Sequence, residues 1–200
     1  MAVALAPRIC LYPFGSPAPP VEPGWLALAQ LPRQDAGDVV FGDGSHPTTR
    51  LCATVLDLLC RQRHPDAVLD VGTGTGVLAR IARARGAEHV VATDIDFGAL
   101  DCAKAHSDLD AHGVGIELSA EAPDHWGARF DIVVANILEE PLRELAPALG
   151  RALAPGGALL MSGFMRPQVP ALRVLYERDG LTYVNETHRD EWALLMFERG

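Results

Sequence analysis

Two hundred residues with 48% apolar content suffice for one domain with its own core and are short for two. A formal net charge of -9 argues against a nucleic-acid surface, because lysine and arginine supply phosphate binding. The acidity suits a cationic partner and also serves solubility, and no apolar run approaches the ~20 residues that span a bilayer.

Residues 1–38 differ from the rest of the chain. Pro13, Pro17, Pro19, Pro20, Pro23 and Pro32 punctuate two short apolar runs, Ile9–Tyr12 and Trp25–Leu28. They predict an arm or edge strands lying against the main domain, too short for a separate core. The start is mildly apolar but interrupted by Pro7 and Arg8 and has no early basic cluster, so it does not read as a signal peptide. Cys10, Cys52, Cys60 and Cys102 are scattered without a C-x-x-C pair. This predicts reduced thiols in a cytoplasmic protein, with neither a disulfide frame nor a metal site.

From residue 39 to 200, helix and strand patterns alternate. Pro47–Arg61 carries Leu51, Val55, Leu58 and Leu59 at helical spacing, with Ser45 or His46 to cap it and a proline in its first turn. Ala67–Val71 predicts a buried strand, Gly76–Arg85 a helix, His89–Thr93 a second strand and Phe97–Ala111 a helix with Leu100, Ala103 and Leu109 inward. A weak strand at Gly115–Leu118 and a stronger one at Phe130–Ala135 follow. Glu140–Leu153 predicts a helix kinked or interrupted near Pro147 and stopped by Pro155-Gly156-Gly157, which launches a strand at Ala158–Ser162. A helix over Gln168–Arg178 precedes two strand-like runs, Leu181–Thr187 and Trp192–Glu198. The expected fold is a single Rossmann-like α/β domain with a mostly parallel sheet, helices on both faces and a C-terminal antiparallel hairpin.

Ligands of such open sheets sit at the carboxyl ends of the strands, where Gly72, Asp94 and Asn136 fall. The turn Asp70-Val71-Gly72-Thr73-Gly74-Thr75-Gly76 alternates its glycines and lacks the Gly-x-Gly-x-x-Gly of dinucleotide sites. Alone it is equally a tight strand-to-helix turn. Asp94 lies roughly 20 residues on, where a carboxylate can accept both hydroxyls of a ribose. Together these predict S-adenosylmethionine (SAM), in which no phosphate needs a cradle. Asp96 either shares the ribose or caps the next helix. Asn136 is either a turn former or an uncharged acceptor that orients a substrate amine. His46 is expected to be structural; the loop Phe41–Thr49 is read either as a flexible connection or as a cover over the cofactor, with a threonine hydroxyl and helix-start N–H groups toward a carboxylate.

The segments Phe41-Gly-Asp-Gly-Ser-His-Pro-Thr-Thr49, Leu69–Leu78, Asp94-Ile-Asp96 and Ala135-Asn-Ile-Leu138 with Pro141-Leu142 closely resemble the ribosomal-protein methyltransferase A (PrmA) family. The likeness runs from about Val39 to the end, including Gly157, Ser162-Gly163, Gln168 and Trp192. It implies a class I methyltransferase domain with a seven-stranded sheet, over residues 39–200, that uses SAM to methylate amines of a large-subunit ribosomal protein. It also implies that Thr49, Gly72, Asp94 and Asn136 contact the cofactor. On this resemblance, only the 1–38 arm is expected to stand where the family carries its N-terminal substrate-recognition domain. Asp43 stands where a threonine is usual, His106 and Asp110 stand where asparagines are, and Glu139 and Glu140 replace smaller residues.

The expected cofactor set is therefore Thr49, Gly72, Gly74, Gly76, Asp94, Ile95 and Asn136, with Asn136 also the catalytic candidate. The expected reaction is SAM-dependent N-methylation of a protein amine, a lysine or an N-terminus. The alternatives are a small-molecule or peptide acceptor, a non-catalytic SAM-binding module and an NAD-binding protein, the last disfavoured by the glycine spacing.

Overall fold

The computed structural model describes residues 2–31 and 40–200. Seven strands form one sheet: β4 (Ala67–Val71), β5 (His89–Thr93), β6 (Ile116–Ser119), β7 (Phe130–Asn136), β8 (Leu153–Met165), β9 (Leu181–Arg189) and β10 (Trp192–Arg199), in the order β6-β5-β4-β7-β8-β10-β9. The first five are parallel, and β10 joins antiparallel between β8 and β9. This is the Rossmann-like arrangement expected, with its C-terminal hairpin.

Buried on both faces, the central strands read as nearly continuous apolar runs whose alternate residues serve different layers. Val68, Val90, Ile132, Val134 and Leu160 face α1 (Pro47–Arg63) and α2 (Val77–Ala84). Leu69, Val91, Val133, Leu159 and Phe197 face α4 (Glu139–Ala152) and α5 (Val169–Arg178). The second layer is closed by Tyr176, which stacks on Phe197 and donates to the Leu142 carbonyl at 2.6 Å.

Residues 2–31 contribute three strands, β1 (Val3–Ala6), β2 (Ile9–Pro13) and β3 (Leu26–Gln30), in a second small sheet. The two apolar runs form β2 and β3, which pair in parallel, while β1 adds antiparallel. Leu5, Ile9, Leu11, Leu26 and Leu28 enter the same core as α1 and α2, so the arm shares the main core. The expected domain boundary at 38/39 falls in 32–39, outside the described residues.

Four local expectations are corrected. On α1 the buried stripe is Leu51, Cys52, Leu56, Leu59 and Cys60, whereas Leu58 is 45% exposed; two cysteines acting as small apolar groups turn the helix away from the leucine-only stripe. α3 (Phe97–Ser107) ends before Ala111, and Asp110 instead caps a 3-10 turn at Ala111–Gly113. Helix α4 runs through Pro147 uninterrupted, because the proline is exposed while Leu142, Ala146 and Leu149 anchor the buried face on both sides. Strand β8 begins at Leu153 and absorbs Pro155-Gly156-Gly157 in an irregularity opposite Phe130–Ile132, where proline is tolerated.

Candidate active site

The carboxyl ends of β4, β5, β6 and β7 open into a cavity of about 660 Å³, within the range of small-molecule sites. Gly72, Gly74, Asp94, Ile95 and Asn136 line it. Thr49 and Gly76 do not; Thr48 lines the wall beside Thr49, whose fully buried Oγ1 has no partner. Gly76, at φ 77°, caps α2, and a Cβ there would lie 3.3 Å from Ala103 of α3. Its geometry serves helix packing.

The glycines of the turn let protein close on protein. A Cβ at Gly72 would sit 2.1 Å from Ile137 Cγ2, and one at Gly74 would sit 2.2 Å from the Phe41 carbonyl oxygen. Both residues also hold positive φ, which disfavours side chains. Thr75 completes the closure: its N–H donates to Phe41 O at 3.0 Å and its hydroxyl to Gly42 O at 2.8 Å. The Phe41 loop therefore lies across the glycine turn and forms one cavity wall.

At one end of the cavity Asp94 accepts from Gly74 N–H through Oδ2 and from Asp96 N–H through Oδ1, each at 3.1 Å. A carboxylate offers about four acceptor positions, so each oxygen keeps one for a ligand hydroxyl. Asp96 caps α3 by accepting from Gly98 N–H at 2.8 Å, the helix-cap alternative for this residue. Beside it Ile95 is 94% exposed, an apolar surface at the cavity edge.

Beneath the turn lies Asp70. Its Oδ2 accepts from the Thr73 hydroxyl at 2.7 Å and from Ala79 N–H at 3.1 Å, while Oδ1 is buried without a partner. Burial pushes its carboxyl up to about 6, against the opposing effect of those two donors.

At the other end Asn136 closes β7. It is 8% exposed, and its Oδ1 has no hydrogen-bond partner. A buried amide oxygen left open is costly unless a donor arrives, so it marks a position for an N–H group. Near it stand Trp192 and His46, ring centroids 4.6 Å apart, and Phe41, 5.1 Å from His46. His46 caps α1 by accepting from Thr48 N–H at 3.3 Å, and burial holds its imidazole below the ordinary value while Asp43 partly opposes this. The structural role expected of it is present, and its ring also forms part of the wall.

Sequence reasoning did not single out Glu121 and Pro123 as lining residues. The strand-end rule applied to weak strand β6 points to that stretch. Trp192 comes from the antiparallel hairpin, where the rule for parallel strands is silent.

The family description "Ribosomal protein L11 methyltransferase (PrmA)" matches residues 31–200. The chain belongs to this family. Members from Rhodopseudomonas palustris (strain BisB5) and Geobacter sulfurreducens, both named ribosomal protein L11 methyltransferase, are each 38% identical to it. The matches run over 167 and 181 residues, 80% and 88% of this chain but 56% and 59% of those proteins. The chain thus spans a little over half the length of these relatives. A crystal structure of a ribosomal protein L11 methylase from Lactobacillus delbrueckii subsp. bulgaricus superposes with a TM-score of 0.83 at 28% identity, covering 99% of this chain and 98% of that one. No described helix is long and apolar enough to cross a membrane.

Proposed function

We propose that this PrmA-family chain is a SAM-dependent N-methyltransferase whose acceptor is an amine of a protein. The observation that carries the proposal is the unpartnered Oδ1 of Asn136, buried in the wall of a cavity whose far end holds the half-committed carboxylate of Asp94. The distribution of groups fits SAM: Asp94 has acceptor positions for ribose hydroxyls, and Ile95 offers an apolar face for a flat ring. Family membership and relatives named for methylating a ribosomal protein support the same conclusion. When bound, SAM supplies an activated methyl group on a sulfonium.

The chain's own residues then have three tasks. Asn136 Oδ1 accepts from an acceptor N–H and holds the nitrogen lone pair toward the cofactor without capturing it. Phe41, His46 and Trp192 keep water from the acceptor nitrogen. An amine of pKa ~10.4 must lose its proton, which costs about 4–5 kcal/mol at pH 7, and desolvation against these rings lowers that cost.

The test is calorimetric titration with SAM, S-adenosylhomocysteine and NAD, followed by methyl transfer from labelled SAM to recombinant ribosomal protein L11 and to free amines. SAM binding with label on protein amines is expected. NAD binding without SAM binding would end the proposal, and label on free amines alone would move the acceptor to the small-molecule class.

A further inference from the structure

We propose that Gln168 is a positioning residue for methyl transfer, setting the acceptor side of the cavity by tying the turn after β8 to the start of α4. The inference rests on the N-methyltransferase proposal above. Gln168 does not line the cavity, so any effect on transfer must pass through the groups that it holds.

Its side chain bridges two elements. Oε1 accepts from the Met165 N–H at 2.7 Å, closing the turn that follows β8. Nε2 donates to Oε2 of Glu139, the first residue of α4. The other oxygen of Glu139 accepts from Arg143 Nε at 2.7 Å. Both oxygens of that carboxylate are therefore engaged, and its position is fixed from two directions.

Each end of the bridge leads directly into the cavity wall. Glu139 follows Asn136-Ile137-Leu138, all three of which line the cavity. Met165 is the register partner of Trp192, another lining residue. Between them Gly163, at φ 103°, packs so closely that a Cβ would lie 2.0 Å from the Ile137 carbonyl oxygen. The backbone contact sets the spacing of the two segments, and the Gln168 bridge resists their sliding. Loss of the bridge frees the Asn136 loop relative to Trp192, and small misplacements of reacting groups are expensive in rate.

The bridge also sorts the two carboxylates at this end. Glu139 is committed to Gln168 and Arg143, while Glu140 is exposed on the same first turn.

The test compares Gln168→Ala, Gln168→Glu and the exchange Glu139→Gln with Gln168→Glu. Acceptor kinetics use recombinant ribosomal protein L11, and cofactor affinity is measured by calorimetry. Gln168→Ala is expected to lower kcat by about tenfold or more with the SAM Kd within about twofold, because Asp94 and Gly74 are untouched. Gln168→Glu sets two carboxylates face to face, which share a proton more readily than both ionise, so its activity falls as pH rises where wild type does not. The exchange keeps all three hydrogen bonds and reverses donor and acceptor only in the one between residues 139 and 168, and activity returns with the wild-type pH profile. Amide exchange at Ile137–Glu139 gives a second readout independent of turnover, faster in Gln168→Ala and restored in the exchange. Wild-type kinetics in Gln168→Ala, unaltered amide exchange there, or an exchange variant no better than Gln168→Glu would overturn the assignment. A wild-type protein that binds no SAM and transfers no methyl group would overturn the function instead, while amide exchange still decides whether Gln168 holds the loop.

Discussion

Asp94 and Asp70 are both acidic residues at the carboxyl edge of the sheet, yet their surroundings give them opposite uses. Asp94 is half-buried and holds two backbone N–H groups with capacity to spare. Asp94→Asn replaces one accepting oxygen by a donor, so SAM affinity is expected to fall about 10- to 100-fold, as for loss of a hydrogen bond to a charged group. Calorimetry measures the loss, and a thermal midpoint close to wild type separates it from unfolding. Asp70 is buried with one oxygen unpartnered, and burial pushes its carboxyl from the ordinary 3.8 up to about 6. Between those values the native state binds the extra proton, so stability contributed at this site declines as pH rises. Above pH 6 the cost is on the order of 3 kcal/mol. Asp70→Asn is therefore expected to gain on wild type in urea midpoint between pH 4 and pH 7, with the two nearly level at pH 4. Residue identity made Asp94 and Asn136 legible as candidates, since strand ends are readable from pattern. It did not reveal that Gly72 and Gly74 make room for Ile137 and Phe41, because such contacts join segments far apart in the chain.

At the scale of elements, helix α1 shows how one residue can join fold and site. His46 caps the helix and stands between Phe41 and Trp192 in the cavity wall. His46→Ala is expected to cost about 1 kcal/mol of stability, the usual worth of an N-cap, and His46→Asp is expected to recover it in urea denaturation. Neither variant restores the ring, so both should turn over more slowly with the protein acceptor. The cap needs a neutral imidazole nitrogen, and burial keeps the ring neutral to lower pH than usual. Its contribution is present above the ordinary histidine range and fades as pH falls through the lowered value. The elements themselves were legible where apolar spacing was regular, as in β4, α2 and β5. They were illegible where tertiary packing overrode local signals. Buried Leu142 and Leu149 carried α4 through Pro147, and pairing with β7 drew Pro155 and the glycines after it into β8.

Across the whole molecule, the small N-terminal sheet is fastened by two side chains of the main domain, His106 and Asp110. Asp110 Oδ2 accepts from Ala29 N–H at 3.0 Å and from the fully buried Arg80 at 2.5 Å, and His106 Nε2 accepts from Leu31 N–H at 3.3 Å. Asp110→Ala would strand the Arg80 guanidinium, whose Nε and Nη1 already lack partners. A loss of about 3–5 kcal/mol is expected, as for breaking a buried ion pair. Denaturant unfolding measures it, and amide exchange should accelerate at Ala29 before the β4 and β7 amides respond. Sequence alone marked the arm as apolar and strand-like, but the polar seam beneath it joins residues 75 to 81 positions apart and left no local trace.

Ala29 and Leu31 point their amides away from β2, toward the side of β3 that has no neighbouring strand among the described residues. With a carboxylate and an imidazole seated on those donors, a foreign strand arriving there finds two of the edge's N–H groups already taken. The same two side chains that hold the arm in place thus also use up donors that this flank would otherwise offer to the strand of another chain.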